Sequence, residues 1–507
     1  MGPGDEPDDD ASGSHLPPDS MSPSREKRKR LGQVFTPEEV AHTLVQWVIK
    51  SAADRLLDPA CGDGRFLGYH NHSTGVEFDA ANVALARHRA PQARVHRADF
   101  FQWAAITRER FDAAVGNPPF IRYQHFTGRT RHLALDQAAK LGACLNGLAS
   151  AWAPFLVVTA GLLKPGGRMA FVVPAEIGHA PYAAPVVEFL CSHFTHVRII
   201  AIREKLFPHL SESVWLLVAR GFGGQAEAME FSIAERFRVS PSVLGPARRV
   251  SIQSWREQGC RLRKFLLSEE SLETYRSLTE NPGVVRLGAL ASIGIGYVSG
   301  ANDFFHLRPS EASRRRIPAS VLRVTIRRAR QLPPATVDEQ TVQQWLRNDE
   351  PVLLLDLKGT TKIPTAVADY LNSEEGQKVR GGYKCRNRHP WYAIPDVREP
   401  DAFLAYMSGR KPVLVRNDAG CVCTNSLHAV LIKTGIGGSS LQRAWAHPLV
   451  DLSCELEGHP LGGGLLKLEP REASNVAVPT GEARIHQSDL RLLQESTAEM
   501  RAWRHYA

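Results

Sequence analysis

The chain of 507 residues has few features that would place it in a membrane or around a metal ion. It lacks a C-x-x-C pair, an apolar run long enough to cross a bilayer, an apolar signal core near the N-terminus and an internal repeat. Its eight cysteines are scattered, which indicates neither a zinc site nor a thioredoxin-like motif and suits a reducing compartment. We therefore expect a cytoplasmic protein with no metal and no membrane partner.

The composition is that of an ordinary globular protein with an excess of positive charge. Apolar residues make up 43% and charged residues 23% of the chain, and the length allows two or three domains with separate cores. The formal net charge of +9 favours a polyanionic partner such as nucleic acid, although net charge bears on association and not on fold.

Four segments differ in composition. Residues 1–28 are rich in Pro, Gly, Ser and Asp and predict a disordered tail, because they cannot bury enough apolar surface to offset the entropy of ordering. The basic run at residues 25–30 is typical of a solvated tail, with a DNA-contacting arm as the alternative. Residues 29–222 alternate short apolar runs with helical patterns, residues 223–275 look like a connecting region, and residues 276–507 mix short strands with helices.

Seven short apolar runs within residues 29–222 predict the strands of a mostly parallel α/β sheet. The helix before the fifth strand is expected to close at the Pro-Gly-Gly of residues 162–167, and the last two strands leave no room for a helix between them. The predicted strands are residues 55–58, 74–78, 94–99, 112–117, 168–174, 196–202 and 212–220.

The stretch GQVFTPEEV at residues 32–40 predicts the start of a helix. Thr36 is expected at the N-cap, Pro37 as the first helical residue and Glu39 as the third, which together form a capping box. On this pattern alone, Thr36 binds the backbone of its own helix.

A glycine loop and three acids follow the first three predicted strands. Asp58 ends the first strand, and Gly62 and Gly64 let the backbone approach a ligand at the edge where open sheets bind nucleotides, although tight turns also use glycine for steric reasons. Glu77 ends the second strand, where a carboxylate can accept hydrogen bonds from ribose hydroxyls. Asp99 ends the third, within reach of an adenine amino group. Each acid alone could be a helix cap or a surface charge, but together they predict a nucleoside site.

The fourth predicted strand ends in GNPPFIRYQ at residues 116–124. Each proline lacks an N–H and restricts the residue before it, so neither a strand nor a helix continues comfortably through the pair. We expect a stiff, exposed loop that presents Asn117 and an aromatic residue.

Five segments of residues 31–222 resemble, in their order and spacing, the S-adenosylmethionine-binding and catalytic motifs of the gamma-class N6-adenine DNA methyltransferases of type II restriction-modification systems. They are GQVFTP, LLDPACGDGRFL, GVEFD, ADFF and GNPPF. Residues 292–307, 383–394 and 416–432 resemble, more weakly, the C-terminal target-recognition domain of that family. The resemblance implies a seven-stranded Rossmann-like methyltransferase sheet followed by a mixed α+β target-recognition domain at residues 276–507.

The same resemblance implies S-adenosylmethionine as cofactor and double-stranded DNA as partner, with the methylated adenine flipped out of the duplex. The Asn117 side chain and the Pro118 carbonyl would accept the two amine hydrogens, Pro119 would stiffen the turn, and Phe120, where family members commonly have Tyr, would stack on the base. Phe207 resembles the residue that stacks on the other face, although a lid aromatic packed on the protein is an equal reading of its residue type. The cofactor-binding residues implied are Thr36, Asp58, Ala60, Gly62, Gly64, Glu77, Phe78, Asp99, Phe100 and Asn117.

Donors and aromatics in the C-terminal part suit contacts to base edges and phosphates. Arg and Trp can equally form structural cation–π stacks, so the region is a firmer expectation than any one residue. The candidates are Tyr297, Asn302, Lys384, Arg386, Arg388, Trp391, Arg416 and Asn417.

We therefore expect a site-specific adenine DNA methyltransferase, the modification component of a restriction-modification or phage-defence system. The alternative is a protein-glutamine or RNA adenine N-methyltransferase, because release-factor enzymes share Asn-Pro-Pro, whereas cytosine N4 enzymes usually have Ser in place of Asn117. A non-catalytic DNA-binding component is opposed by Asp58, Glu77 and Asn117. About thirty residues before the motifs are too few for a fused nuclease, so we expect a monomer with a separate restriction endonuclease as its candidate partner.

Overall fold

The computed structural model describes residues 35–208, 213–240, 246–481, 483 and 485–506. The predicted tail with its basic run, and the first three residues of GQVFTP, lie outside the described residues. The chain divides into two compact units, Met1–Phe171 and Val172–Ala507. Among the helices in the described ranges, none has the length and apolar character needed to cross a bilayer.

The first unit alternates short buried strands with helices, as the apolar runs predict. Its strands pair in parallel, and the carboxyl ends of the first, second and fourth strands therefore meet at one edge. The elements are α1 (Glu38–Val48), β1 (Leu56–Asp58), β2 (Ser73–Glu77), α2 (Ala80–Arg89), β3 (Arg94–Arg97), α3 (Phe100–Ile106), β4 (Phe111–Gly116), α4 (Gly128–Lys140), α5 (Trp152–Ala160) and β5 (Leu163–Pro174), whose last three residues belong to the second unit.

The second unit begins with further strands of the same kind. They are preceded by α6 (Ala184–His193) and comprise β6 (Phe194–Ile202), β7 (Val214–Phe222), β8 (Ala228–Ala234) and β9 (Arg248–Ser251). Strand β6 pairs antiparallel with β7, as the missing helix between them predicts, and parallel with β8.

The described residues form a mostly parallel sheet of nine strands in the order β3-β2-β1-β4-β5-β7-β6-β8-β9. The expectation of seven strands is therefore wrong. The two additional strands, β8 and β9, come from residues 223–275, which the sequence indicated only as a connecting region. Met229 and Phe231 alternate with more exposed neighbours along β8 and are 0% and 2% exposed, so a short period-2 pattern carries this strand.

The turn expected at residues 162–167 lies inside β5. The register between β4 and β5 jumps from the pair Phe111–Leu163 to the pair Ala113–Arg168. The extra residues on β5 form a bulge in which Gly166 has a φ of +79°. Pro and Gly interrupt the ladder here without preventing the strand.

Helix α1 begins one residue later than the capping pattern predicts. Pro37 is the N-cap, with φ −54° and ψ 143°, and no side chain caps the helix. Because Pro37 is extended, Thr36 lies outside the capping position, and the predicted capping box is wrong. Thr36 is instead 1% exposed, and its carbonyl accepts a hydrogen bond from the Arg65 side chain.

Beyond residue 251 the second unit consists of short helices and small sheets. The helices are α7 (Ile252–Glu257), α8 (Glu269–Glu280), α9 (Leu287–Leu290), α10 (Asn302–Phe305), α11 (Pro309–Arg314), α12 (Glu339–Arg347), α13 (Thr365–Asn372), α14 (Glu374–Arg380), α15 (Tyr383–Arg386), α16 (Gly438–Trp445), α17 (Pro448–Glu457), α18 (Pro470–Asn475) and α19 (Gln487–Trp503). The strands are β10 (Val284–Arg286), β11 (Ala291–Ile295), β12 (His306–Leu307), β13 (Leu322–Ile326), β14 (Thr336–Val337), β15 (Leu353–Leu355), β16 (Ala402–Ala405), β17 (Met407–Ser408), β18 (Leu414–Asn417), β19 (Val422–Cys423), β20 (Leu427–Ile432), β21 (His459–Pro460), β22 (Leu466–Lys467) and β23 (Ala477–Pro479).

These strands form four small sheets within the described residues. Their orders are β11-β20-β16-β18-β14, β12-β15-β13-β19, β17-β22-β21 and β10-β23. Separate apolar clusters fill the spaces around them, one of which contains Phe304, Tyr370 and Cys385. This part of the unit is therefore mixed α and β.

Candidate active site

A cavity of about 280 Å³ opens in the first unit at the carboxyl ends of β1, β2 and β4. This is the edge at which open parallel sheets hold their ligands. The cavity brings together the glycine loop, two of the three acids and the turn after β4. The predicted site residues that line it are Ala60, Gly62, Glu77, Phe78, Asp99, Phe100, Asn117 and Pro119.

Asp58 supports the glycine loop from inside the fold and does not line the cavity. Its side chain is 0% exposed, and its Oδ1 accepts the Ala60 N–H at 3.1 Å, whereas its Oδ2 has no hydrogen-bond partner within the described residues. Burial raises the pKa of Asp58 well above its usual range. A Cβ on Gly116 would lie 3.0 Å from Oδ1, so the glycine at the end of β4 leaves room for this carboxyl group.

Gly64 fixes the loop against helix α2. Its φ is +80°, and a Cβ there would lie 2.7 Å from the Cα of Ala86. The Gly64 N–H donates to the Cys61 carbonyl at 2.8 Å. This glycine therefore serves both the backbone conformation and the packing of the loop on the helix, and it lies behind the cavity wall, outside the lining.

Glu77 connects the end of β2 to the glycine loop. It is 8% exposed, and its Oε2 accepts the Gly62 N–H at 2.9 Å while its Oε1 accepts the Asp79 N–H at 2.8 Å. Burial raises the pKa of Glu77, opposed by hydrogen bonds from Asp79, Gly62 and the Asn82 side chain. These three hydrogen bonds leave about one acceptor position of the carboxylate free, so this side chain can bind a donor inside the cavity as well as the loop.

Asp99 is both a helix cap and a cavity residue. As N-cap of α3, its Oδ1 accepts the Gln102 N–H at 3.0 Å. Its Oδ2 accepts the Thr130 hydroxyl at 3.1 Å, and Thr130 also lines the cavity. Asp99 is therefore a helix cap, as one interpretation of the sequence allowed, and it also lines the cavity, as expected of a residue that binds a ligand.

The Asn-Pro-Pro turn follows β4 directly. Asn117 and Pro119 are half-buried and line the cavity, whereas Pro118 is buried and Phe120 is half-buried. Pro118 and Phe120 do not belong to the described residues that line the cavity. The next residue, Ile121, does line it, and its carbonyl accepts the Ala151 N–H at 2.9 Å.

An aromatic wall, of which the sequence predicted only Phe100, completes the cavity. Phe100 and Phe155 stack with ring centroids 5.0 Å apart and planes at 15°, and Phe101 meets Phe155 edge-on at 4.7 Å. Phe126 and Phe35 also line the cavity, and Phe35 is 39% exposed. The only sequence signal for Phe126 is its place shortly after the Asn-Pro-Pro turn, and Phe35 belongs to GQVFTP.

Arg131 of helix α4 ties together the chain that follows the Asn-Pro-Pro turn. Its guanidinium donates to the carbonyls of Tyr123 and Phe126, both at 2.9 Å, and to the carbonyl of Gly147. The planar fork of Arg suits such multiple bonds, which a single ammonium cannot reproduce in the same geometry. Arg131 therefore holds the loop that carries Phe126.

We expect Arg131→Lys to lower the free energy of unfolding by about 1–3 kcal/mol, because two of the three charged hydrogen bonds are lost. Amide hydrogen exchange at residues 121–127 should become faster. Arg129→Lys is the control, since Arg129 is exposed on the same helix. Equal exchange rates in the two variants would show that Arg131 does not hold this loop.

Phe207 lies in the loop between β6 and β7, in the second unit. It is 7% exposed, as a lid aromatic packed on its own unit would be. Residues 209–212 of the same loop lie outside the described residues.

Three of the C-terminal candidates use their polar atoms inside the second unit. The Tyr297 hydroxyl bonds to His306 at 2.8 Å and to Thr325 at 2.6 Å, and the residue is 2% exposed. The Asn417 side chain donates to two backbone carbonyls at 2.7 and 2.9 Å. Arg388 donates to the Val298 and Ser299 carbonyls at 2.6 and 2.7 Å. These hydrogen bonds give each of the three residues a structural role within the unit, which does not require a contact with DNA.

The other C-terminal candidates are more accessible. Asn302 accepts the Ser299 hydroxyl, Trp391 packs at the margin of an apolar cluster, and Arg416 pairs with Asp418. The exposed side chains of Lys384 and Arg386 lie over the ring of Tyr383, a residue that the sequence did not single out.

Two family models match successive parts of the chain. The model of N-6 DNA Methylase matches residues 22–180, which include the cavity. The model of the C-terminal domain of the Type II methyltransferase M.Eco57I matches residues 261–505. Together they cover both the glycine loop and the small sheets of the second unit.

The sequence similarity to several known proteins covers most of the chain. The Type II methyltransferase M.AccI of Acinetobacter calcoaceticus is 19% identical over 89% of this chain and 86% of its own length. The Type II methyltransferase M.XamI of Xanthomonas campestris pv. amaranthicola is 21% identical over 91% of this chain and 88% of its own length. The solved Type IIL restriction-modification enzyme MmeI covers 89% of this chain and 64% of its own at 13% identity and a TM-score of 0.48, which is too weak to bear on function. The chain is therefore a homologue of the Type II methyltransferases and contains an N6-adenine DNA methyltransferase domain.

Proposed function

We propose that the protein transfers a methyl group from S-adenosylmethionine to the N6 amine of an adenine flipped out of duplex DNA. The observation that carries this proposal is that Asn117 and Pro119 line the same cavity as Glu77 and Asp99. A nucleoside methyl donor requires acceptors for its hydroxyls and its amino group, and an amine substrate requires acceptors that activate its nitrogen. Both kinds of group border one space here.

The cavity residues fit S-adenosylmethionine. Glu77 retains an acceptor position for a ribose hydroxyl, and Asp99 retains one for the adenine amino group. Phe78, which is 70% exposed, and Phe35 offer flat apolar faces beside these acids. When bound, the cofactor supplies an electrophilic methyl group carried on sulfur.

The exocyclic amine of adenine is a poor nucleophile, because its lone pair is delocalised into the ring. In the proposed mechanism the Asn117 side-chain oxygen and the Pro118 carbonyl accept its two hydrogens and favour a tetrahedral nitrogen. The amine whose hydrogens Asn117 and Pro118 accept would take up the methyl group that bound S-adenosylmethionine would supply, and it would release one proton to solvent. No histidine acts as general base. The prolines fix both acceptors before the base arrives, which is the preorganisation that electrostatic stabilisation needs.

The proposal extends to the rest of the chain. From the order of the motifs we infer that the protein belongs to the gamma class. We also infer a catalytic domain at residues 29–222 and a DNA target-recognition domain at residues 276–507. A separate restriction endonuclease is the proposed partner, with the enzyme itself monomeric.

The direct test is methyl transfer by the full chain to duplex DNA, with N6-methyladenine located by single-molecule sequencing. We expect one methylated sequence in DNA from cells that express the protein. RNA and a glutamine-containing peptide serve as competing substrates. Transfer to either of these without transfer to DNA would move the function to the corresponding alternative.

We expect Phe207→Ala to weaken binding and to slow methyl transfer, with a loss of roughly 1–3 kcal/mol if the ring stacks on the flipped base. Phe207→Trp should be tolerated better, because it keeps a flat face. The measurement is the fluorescence of DNA with 2-aminopurine at the target position, which changes when the probe leaves the base stack.

Phe207→Leu is the control for packing, because Leu keeps an apolar side chain and lacks the flat face. If Phe207→Ala and Phe207→Leu match the unmodified protein in both flipping and rate, Phe207 is a packed loop aromatic and does not contact the base.

A further inference from the structure

A second cleft, of about 610 Å³, lies within the second unit. The end of β11 and the residues after it border one side, from Ile295 to Val298, and helix α15 with the chain up to Arg398 borders the other. We call it the Tyr383 cleft, after the aromatic residue at its margin.

Helix α15 presents three exposed side chains from an anchored turn. Tyr383 is 68% exposed, although large aromatic side chains in a monomer are usually covered. The Lys384 Nζ lies 5.9 Å and the Arg386 guanidinium carbon 5.4 Å from the centre of its ring. Between them, Cys385 is 1% exposed and belongs to the apolar cluster around Phe304. The turn is therefore fixed in the fold while its other side chains face outward.

Arg388 joins this turn to the segment that follows β11. Its guanidinium donates to the Val298 and Ser299 carbonyls at 2.6 and 2.7 Å, which joins the two sides of the cleft. The two sides of the cleft are thus held together by hydrogen bonds within the unit.

The charge of the cleft is largely uncompensated. Some exposed cations elsewhere in the unit have acidic partners: Arg249 lies 3.4 Å from Glu227, and Arg256 lies 3.0 Å from Glu188. Within the described residues, the three exposed cations of the cleft have no acidic group within 4.0 Å. They are Lys384, Arg386 and Arg398, and the one acid that borders the cleft is Asp396. A concave surface with unpaired cations concentrates positive potential.

We propose that the Tyr383 cleft is the principal contact of the second unit with duplex DNA. Lys384, Arg386 and Arg398 contact phosphates, and Tyr383 packs against a base or deoxyribose that the grooves expose. Phosphates match the unpaired cations, and the flat ring between two cations matches the stacked, charged surface of nucleic acid. The inference rests on the proposed function, for which it names the DNA-contacting surface and separates the phosphate contacts from the stacking contact.

The test is the affinity of the full chain for fluorescein-labelled duplex DNA, measured by anisotropy over a range of potassium chloride concentrations. Each lost phosphate contact lowers the slope of log K against log salt by about 0.9, so the combined variant Lys384→Ala, Arg386→Ala and Arg398→Ala should lose about 2–3 from the slope. Tyr383→Ala should weaken binding about 5- to 150-fold with an unchanged slope, and Tyr383→Trp should retain binding.

Arg347→Ala combined with Arg491→Ala is the matched control, because both arginines are exposed and neither borders the cleft. Normal affinity and slope in the cleft variants, or an equal loss in the control, would overturn the inference. Methyl transfer by the unmodified chain, measured in parallel, separates this outcome from failure of the proposed function. If the unmodified chain methylates no DNA, the function is wrong; if it methylates DNA and the cleft variants bind normally, only the cleft is wrong. Thermal unfolding of each variant shows whether it still folds. If the combined variant does not fold, the three single substitutions are measured in its place.

Discussion

Asn117→Ala is expected to slow methyl transfer by at least about 10²–10³-fold, the usual loss when one preorganised polar contact to a reacting group is removed. The substitution removes an acceptor that acts when the amine is activated, and affinities for S-adenosylmethionine and DNA should stay within a few-fold. The preceding residue, Gly116, lies close to Asp58 and Phe171, where a Cβ would meet their side chains at 3.0 and 3.1 Å. Single-turnover rates at saturating cofactor and DNA measure the chemical step directly.

Asn117→Asp is the informative companion variant. Asp keeps an acceptor oxygen in the same position and should retain more activity than Ala if acceptance of the amine hydrogen is what matters. A rate for Asn117→Ala within tenfold of the unmodified protein would contradict the proposed mechanism, whatever the behaviour of the Asp variant.

Glu77→Gln is expected to weaken S-adenosylmethionine binding about 10- to 100-fold, because a hydrogen bond to a charged group contributes about 1.5–3 kcal/mol. Both carboxylate oxygens accept backbone N–H groups, from Gly62 and Asp79. A glutamine amide has only one oxygen, so its NH₂ must face one of these two N–H groups. The substitution therefore disturbs the glycine loop as well as the acceptor offered to the ribose.

Titration calorimetry on the full chain measures the affinity. Asp136→Asn is the control, since Asp136 is an exposed acid of the first unit that does not border the cavity. Unchanged affinity in Glu77→Gln would remove Glu77 from the cofactor site, whereas an equal loss in both variants would indicate a general effect of charge.

The sequence predicted the first four strands to within two residues, because three of them, β1, β2 and β4, are mostly buried runs and β3 has Val95 buried between polar residues. Asp58 and Glu77 are themselves the last residues of β1 and β2. Parallel pairing then places the residues after these strands at one edge, so the common cavity was a consequence of local pattern and topology. The bulge in β5 was not predictable in this way, because Pro and Gly punctuate turns and bulges alike.

The C-terminal candidates show where residue type stops being informative. Tyr297 has a donor and an aromatic ring, as a DNA contact would, but its hydroxyl is bound to His306 and Thr325. Thr325 lies on a different strand, and only the folded chain brings it to Tyr297. The sequence did not predict Thr130, although this residue lines the cavity. Its position depends on the path of the chain after the Asn-Pro-Pro turn, which no local period determines.

The burial of Glu77 links the stability of the folded protein to the proton concentration of the solvent. Because its pKa is raised in the folded protein, the folded state holds a proton more tightly than the unfolded chain, whose Glu has a pKa of about 4.3. The free energy of unfolding of the ligand-free protein therefore falls as pH rises from that value through the folded pKa. A hydroxyl donor that binds the charged carboxylate lowers this pKa again. If Glu77 accepts a ribose hydroxyl as proposed, binding of S-adenosylmethionine across that window expels a proton, and the heat of binding depends on the buffer that takes it up.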